Sequence, residues 1–522
     1  SRASTVPLGA RRLSAVCSGG RPCALSRPGC MEVPRVHSRR SGTPSTGGRT
    51  PRPEAPEAEL AADGDSGDGK ARGWRSAHTQ VVIVGFLAFC GPGLFNALTG
   101  LGGAGSSDPT VAAIANGCLY CTFAASSYFA GAAFNLLGPV PLFVVGGLTY
   151  AAYAACVYFS AQHGFLAAVG GVLLGVGAGL FWTAQGALMM AYATPQSRGR
   201  LIGLFWIIFN LGGVAGGLLE FGLNYSNEAG SASAASYFSF IAAMLAGALL
   251  SPFLLARPSQ VVREDGSSVA FEQARSPKEE LIAAVEAFSD PFVRRNLLFW
   301  FASNWFYTYD FNGFNGTQFN VRTRGLNSAV FWAAQMLAAW AFGTVLDGPQ
   351  TPAKRAVWGM TLVAAALVVS LVPAIWLNYA SSCGVGYGFD KDAPCSLDFL
   401  SDAQASAAPM LVFALLGAAD AMYQNYAYWL MSMASGGDVR RMVQYSAAYK
   451  GTQSLGAGVA WLSDLGGGFP YRSQGVVALT LTLMACAPVV PTFALLDGAA
   501  GKAERRPDAS YGSPTTVGYS EC

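Results

Sequence analysis

Most of the chain alternates between apolar runs and short polar turns. The runs lie at about 79–101, 111–135, 140–159, 165–192, 200–222 and 235–256. A polar segment, 257–295, follows. Then come runs at 296–318, 328–346, 356–378, 408–433, 442–464 and 475–497. Roughly 20 apolar residues of helix cross a bilayer, and each run is near that length. The pattern predicts an all-α polytopic membrane protein of about twelve transmembrane helices, six on each side of 257–295.

The pattern is clearest over 171–217, where two apolar runs flank a turn, 194–200, that holds Arg198 and Arg200. Gly171, Gly175 and Gly179 recur on one helix face, as do Gly212 with Gly216 and Gly213 with Gly217. In lipid such rows let helix backbones approach closely. They fit either tight packing within a bundle or a surface on which a helix slides.

Composition agrees with this class: 52% of residues are hydrophobic and only 12% charged, a profile of membrane rather than soluble domains. The placement of charge sets orientation. One set of alternate loops carries Arg198 and Arg200; Arg257, Arg263, Arg275, Lys278, Arg294 and Arg295; Lys354 and Arg355; and Arg440 and Arg441. The opposite loops carry Arg322, Arg324, Lys391 and Arg472. Basic loops stay cytosolic, so both termini are expected inside, with Arg322 and Arg324 as the main exception. Whether the membrane is the plasma membrane or an internal one is not legible.

Residues 1–75 are rich in Arg, Ser, Pro and Gly and poor in aromatics, which predicts a disordered cytosolic tail. The Arg-rich beginning also has the look of a transit peptide, and Met31 is a candidate start. A second tail covers 498–522. On the outer side, Asn224-Tyr-Ser226 is a glycosylation sequon, and Asn315-Gly-Thr317 is another that lies too near the membrane for use. The acidic outer loop 379–407 contains Cys383 and Cys395, which fit a disulfide in an oxidising space or two free thiols. Within 271–295, EELIAAVEAF is amphipathic and reads as a strap along the inner surface. It would join an N-terminal half, 79–256, to a C-terminal half, 296–497.

Six plus six helices with a central strap is the layout of a major facilitator. The turn GAAFNLLGP (131–139) looks like a worn version of that superfamily's loop motif: Gly131 and Gly138 match, while the acid and the basic residues are absent. LFWTAQGALMMAY (180–192), FASNWFYTYDFNGFNG (301–316), AYKGTQSLGAGVAW (448–461) and CGPGLFNALTGLGGAG (90–105) resemble the uncoordinated-93-like branch, in particular its fungal members, over about 79–497. The resemblance implies the major facilitator fold and no particular substrate. Some animal members look like channel regulators or receptor escorts rather than transporters.

Ionisable residues inside a bilayer are costly and mark function by default. Asp310 falls mid-depth in the seventh run. Asp420 does so in the tenth, followed by Gln424 and Asn425, and Lys450 lies a third of the way into the eleventh, followed by Gln453. The three are expected to meet, as a proton-sensitive carboxylate–ammonium switch or as a fixed salt bridge. Tyr307, three residues from Asp310, is expected on the same cavity-facing side. The N-terminal half offers uncharged candidates: Asn96 beside a Pro92–Gly93 break, Trp182, Gln185 and Asn210, with Glu220 near the outer end of its run.

No GxxxxGK[ST], nucleophile elbow or zinc-protease helix occurs, no Cys/His cluster has zinc spacing, and the chain has 3 histidines. The sequence thus predicts no enzyme, cofactor or metal, and nothing in it points to nucleic acid. The expected partners are the bilayer, an unidentified small solute or ion, and on one reading another membrane protein. Two functions stay open: a secondary transporter working by alternating access, with protons as a coupling option, or a non-transporting accessory to a channel or receptor.

Overall fold

A computed structural model describes residues 73–100, 109–223, 225, 234–269, 276–379, 396–464 and 469–504. Asn224, Cys383 and Cys395 lie outside the described residues, as do most of the two tails.

The apolar runs become helices. The N-terminal half holds α1 (Ala77–Ala88), which passes through a π-helical turn (Phe89–Gly93) into α2 (Leu94–Gly100). It continues with α3 (Pro109–Leu137), α4 (Pro139–Phe159), α5 (Phe165–Tyr192), α6 (Arg198–Leu223) and α7 (Ala234–Leu254). The linker contributes α8 (Pro277–Glu286). The C-terminal half holds α9 (Pro291–Ala302), a π-helical stretch (Tyr309–Asn315), α10 (Gly316–Gln318), α11 (Val321–Leu346) and α12 (Pro352–Tyr379). Then follow α13 (Ala403–Ala434), α14 (Val439–Ser463), α15 (Tyr471–Cys486) and α16 (Phe493–Glu504). Polar residues at the turns fix several starts. Ser76, Asn320 and Asp438 each accept a hydrogen bond from a first-turn N–H, satisfying a donor the helix leaves orphaned.

Counting α1–α2, α9–α10 and α15–α16 as one crossing each gives twelve, in two six-helix bundles. Nine helices among the described residues are long and apolar enough to span a membrane. The other three crossings are α3, the broken seventh segment and α14. Their polarity has a packing reason. α3 and α14 lie against each other across the two halves, with Gly131 against Ala447 and Tyr128 against Gly451. Faces turned to protein need not be apolar enough for lipid.

The glycine rows divide into two jobs. Gly171, Gly175 and Gly179 on α5 press on α3 within the N-terminal half, where a Cβ at Gly171 would stand 2.3 Å from the Ala115 carbonyl oxygen. That row therefore packs within its own bundle and does not face the opposite half. On α6, Gly212 and Gly216 meet Phe89 and Ala97, whereas Gly213 and Gly217 meet Trp332 and Ala329 of α11. One helix thus uses one glycine face for its own bundle and the other for the opposite half.

The strap holds both halves at the arginine-rich end. Arg263 donates to the Ala191 carbonyl at 2.8 Å, tying the strap to the end of α5. Glu280 of α8 is buried, accepts from Asn135 Nδ2 at 2.7 Å and pairs with Arg440 at 2.6 Å. Asn135 belongs to α3 and Arg440 to α14, so one carboxylate bridges the halves. At the same end Asp347 of the C-terminal half accepts from Gly199 N and Arg200 N at 2.6 and 2.8 Å. There it satisfies orphan donors at the start of α6. Burial pushes the Asp347 carboxyl above its usual range, against those backbone bonds, which pull it down.

At the other end, Arg322 is paired with Asp398, in the described part of the acidic loop. That pairing explains one arginine of the charge exception: its neutralising partner stands beside it. Asn315 is buried and accepts from Asn327 Nδ2 at 3.0 Å, which closes the second sequon to modification.

Candidate functional site

A cavity of about 60 Å³ lies at mid-depth between the halves. Its N-terminal wall comes from five crossings and is mostly ring-bearing side chains, among them Phe95, Phe123, Tyr150, Trp182, Trp206 and Phe209, with Asn96 and Tyr120 as polar members. Its C-terminal wall is Asn304, Tyr307, Gln424, Lys450 and Gln453. A water needs about 10–15 Å³ by this kind of measure, so the cavity as it stands holds a few waters or one compact solute.

The first wall is shaped by the π-helical turn in the first crossing. Pro92 lacks an N–H and cannot continue a regular α-helix. The chain absorbs it in the wide turn at Phe89–Gly93 rather than breaking there, and Pro92 and Asn96 reach the cavity. Gly93 is needed because α6 comes so close: a Cβ there would stand 2.8 Å from the Phe209 carbonyl oxygen. Trp182 donates from its indole N–H to the Tyr150 hydroxyl at 3.0 Å, which fixes the ring.

The expected salt bridge is not made. Among the described residues no carboxylate lies within 4.0 Å of the Lys450 ammonium. Lys450 and Asp420 are instead joined by two amides. Lys450 Nζ donates to Gln453 Oε1 at 2.8 Å, Gln453 Nε2 to Gln424 Oε1 at 2.8 Å, and Gln424 Nε2 to Asp420 Oδ1 at 3.3 Å. An ammonium only donates and an ionised carboxylate only accepts, so both amides are held head to tail. Such a chain polarises along its length. Tyr449 also donates to Gln424 Oε1.

Asp420 is well supported. Its Oδ2 accepts from Tyr307 Oη and from Gln335 Nε2, each at 2.8 Å. Gln335 on α11 also accepts from Asn210 Nδ2 of α6 at 3.1 Å, so a polar chain crosses the half-to-half boundary. Gln335 escaped the sequence reading because a lone amide in an apolar run has no pattern around it. Asn304 escaped for a different reason: its run is broken by a turn at 303–306 that no Gly or Pro announces. Lys450 is covered by three rings, with Nζ 4.4 Å from the Trp182 centroid, 4.9 Å from Tyr449 and 5.4 Å from Tyr428.

Three candidates lie off the cavity wall, and for Asp310 this corrects the expectation. Asp310 does not share the cavity face with Tyr307. The π-helical stretch from Tyr309 replaces the regular helix on which three-apart residues align, and the Asp310 carboxylate is fully buried with no hydrogen-bond partner among the described residues. Asn425 is likewise buried, without a side-chain partner, off the cavity wall. Gln185 is buried beside the site, accepting from the Tyr428 hydroxyl at 3.2 Å, rather than on the wall itself.

Sequence comparison now bears on this arrangement. The chain is 40% identical over 435 residues to UNC93-like protein 1 of Arabidopsis thaliana, covering 81% of this chain and 92% of that one. It belongs to the UNC93-like family. An UNC93-like protein of Schizosaccharomyces pombe is 34% identical over 432 residues, covering 80% of this chain and 84% of its own length, below the plant protein's identity, so the likeness is not particular to fungal members. The family model "Ion channel regulatory protein UNC-93" matches residues 113–284. Among solved structures, an outward-facing bacterial homologue of the iron transporter ferroportin has a TM-score of 0.56 at 13% identity, covering 80% of this chain and 99% of that one. The major facilitator transporter FucP in its outward conformation scores 0.52 at 14% identity, covering 81% and 99%. At such identities the likeness establishes the fold: this UNC93-like chain is an integral membrane protein of the major facilitator type.

Proposed function

We propose that this UNC93-like protein carries a small solute across its membrane by alternating access. The halves, 79–256 and 296–497, would rock about the central cavity, with 257–295 as the strap and both termini cytosolic. The observation that carries the reading is the polar wall at mid-depth, where buried Lys450, Gln453, Gln424 and Asp420 form one oriented relay beside a cavity. Buried polar groups of this density are costly in lipid and are kept where they serve transport paths. Protons couple through Asp420. A proton there removes the charge that Tyr307, Gln335 and Gln424 point at, loosening both the relay and the Asn210–Gln335 bridge between halves.

The test is untargeted metabolite and metal-ion profiling of cells with and without the protein, then uptake of whatever changes into reconstituted vesicles. Uptake that follows a pH gradient in wild type and loses that dependence in Asp420→Asn, with folding intact, supports the reading. Unchanged pH-dependent uptake in the variant overturns the proton step.

A second reading, a non-transporting regulator of a channel or receptor, draws on the description of the family model that matches 113–284. It predicts no uptake by well-folded protein and recovery of a membrane partner in pull-downs.

A further inference from the structure

The cavity walls differ in what they leave unspent. Lys450 is 4% exposed and is the charged residue on the wall among the described residues. One of its three N–H groups goes to Gln453, and no carboxylate stands within 4.0 Å of it. Asp420, which could have answered it, is turned to Tyr307, Gln335 and Gln424 and does not line the cavity. Asn304 spends its Oδ1 as acceptor for both Gln424 and Gln453, at 2.5 and 3.1 Å, so its remaining capacity is its Nδ2 donors. Trp206, on the facing wall, has a buried indole N–H with no acceptor among the described residues. Asn96 and Tyr120 on the facing wall each offer a donor and an acceptor, so the uncharged groups serve either kind of ligand and the charge on the wall, the Lys450 ammonium, sets the sign.

The facing wall is apolar and aromatic. Aromatic faces also attract organic cations, but here the Lys450 ammonium already lies over Trp182, so a cationic ligand at that ring would meet a like charge. That arrangement selects against cations as well as for anions.

We infer that the cavity is a binding site for a small organic monoanion, a carboxylate being the chemical class that fits, with its charged group on Lys450 and Asn304 and its apolar body against Phe95, Trp182 and Phe209. The inference takes the cavity as the solute site and so rests on the reading above. At about 60 Å³ the cavity admits a body of only a few heavy atoms unless the halves part.

The probe is a matched charge series on the purified full chain, read as thermal stabilisation against concentration: benzoate, benzamide and benzylammonium, with acetate, acetamide and ethylammonium as the smaller set. Saturable stabilisation by a carboxylate, at least tenfold weaker for the amide and ammonium of the same size, supports the site. Lys450→Gln should lose the carboxylate effect tenfold or more, and Lys450→Arg should keep most of it. Should the glutamine variant not fold, the wild-type series decides alone. Equal midpoints across charge, preference for the ammonium, or no saturable stabilisation by either carboxylate overturns the inference. Vesicle uptake separates the two claims. Carboxylate binding without uptake leaves the anion site standing and sinks transport. Uptake of another solute that Lys450→Gln does not change leaves transport standing and sinks the anion site.

Discussion

The two walls of the cavity are built on opposite principles. The N-terminal wall is made of rings in edge-to-face contact, Trp182 with Phe209 and Trp206 with Phe209, and holds its shape by packing. The C-terminal wall is held by hydrogen bonds among Lys450, Gln453, Gln424, Asp420, Tyr307 and Gln335. A packed wall tolerates exchange of similar shapes, because dispersion is non-directional and volume is what counts. A networked wall does not, because each lost partner strands a buried donor or acceptor. One half thus supplies shape and the other supplies charge and direction. Among the described residues, the carboxylate and the ammonium both belong to the second.

The hardest test of that contrast is Asp420→Ala. Three buried donors lose their acceptor, and breaking a buried charge arrangement costs about 3–5 kcal/mol. Thermal unfolding in detergent should show a large loss of stability or no folded protein. A variant as stable as wild type would mean the network organises nothing. Next in size is Gln424→Leu, which keeps volume but cuts the relay between ammonium and carboxylate. It should cost about 1–3 kcal/mol, and Gln453→Leu added to it should cost less than its own single effect, since the relay is already cut. Simple additivity in that double-mutant cycle would show that the two amides do not act as one chain.

Trp182→Phe sharpens the other side. The ring face remains while the bond to Tyr150 and part of the cation–π attraction go, so the expected loss is about 0.5–1.5 kcal/mol. Unfolding midpoints measured beside those of the relay variants should place it clearly below them. A loss equal to that of Asp420→Ala would erase the distinction between walls.

The smallest effect lies outside the cavity, at the Arg322–Asp398 pair. Burial alone would raise the Asp398 carboxyl, but bonds from the Arg322 guanidinium and the Leu400 N–H hold it below the usual carboxylate range. A carboxyl lowered in the fold adds stability that is present above its unfolded value and lost as pH falls through the folded one. For a partly exposed pair this is up to about 1 kcal/mol. Melting temperature followed from neutral into acid should fall less steeply for Asp398→Asn than for wild type. Parallel curves would remove the pair from the account of this end.

The wall contrast also explains what could be read in advance. The crossings were legible because lipid demands long apolar helices whatever their neighbours, and the charged residues stood out because lipid penalises them. Asp420 and Lys450 were found on those grounds, Gln424 by its place beside Asp420, Trp182 as a polar group beside the α5 glycine row, and Tyr307 through an alignment with Asp310 that the structure does not keep. The relay itself was not legible. Opposite charges at similar depth suggest a salt bridge, and only side-chain reach across α13 and α14 shows that two amides intervene. Gln335 was silent because a lone amide in an apolar run has no pattern around it, Asn304 because no Gly or Pro announces the turn at 303–306, and Asp310 was misplaced because the π-helical stretch from Tyr309 turns it away from the face of Tyr307.

The sequence by itself determined the class of fold, the number of crossings and which residues are too polar to sit in a bilayer without a reason, since each follows from the cost of transferring a side chain or a backbone group into hydrocarbon. Tertiary structure alone decided which glycine row joins the halves, which carboxylate reaches Arg440, and that Lys450 faces rings and amides rather than Asp420. Those outcomes depend on distances of a few ångströms between helices far apart in the chain, and no local pattern encodes them.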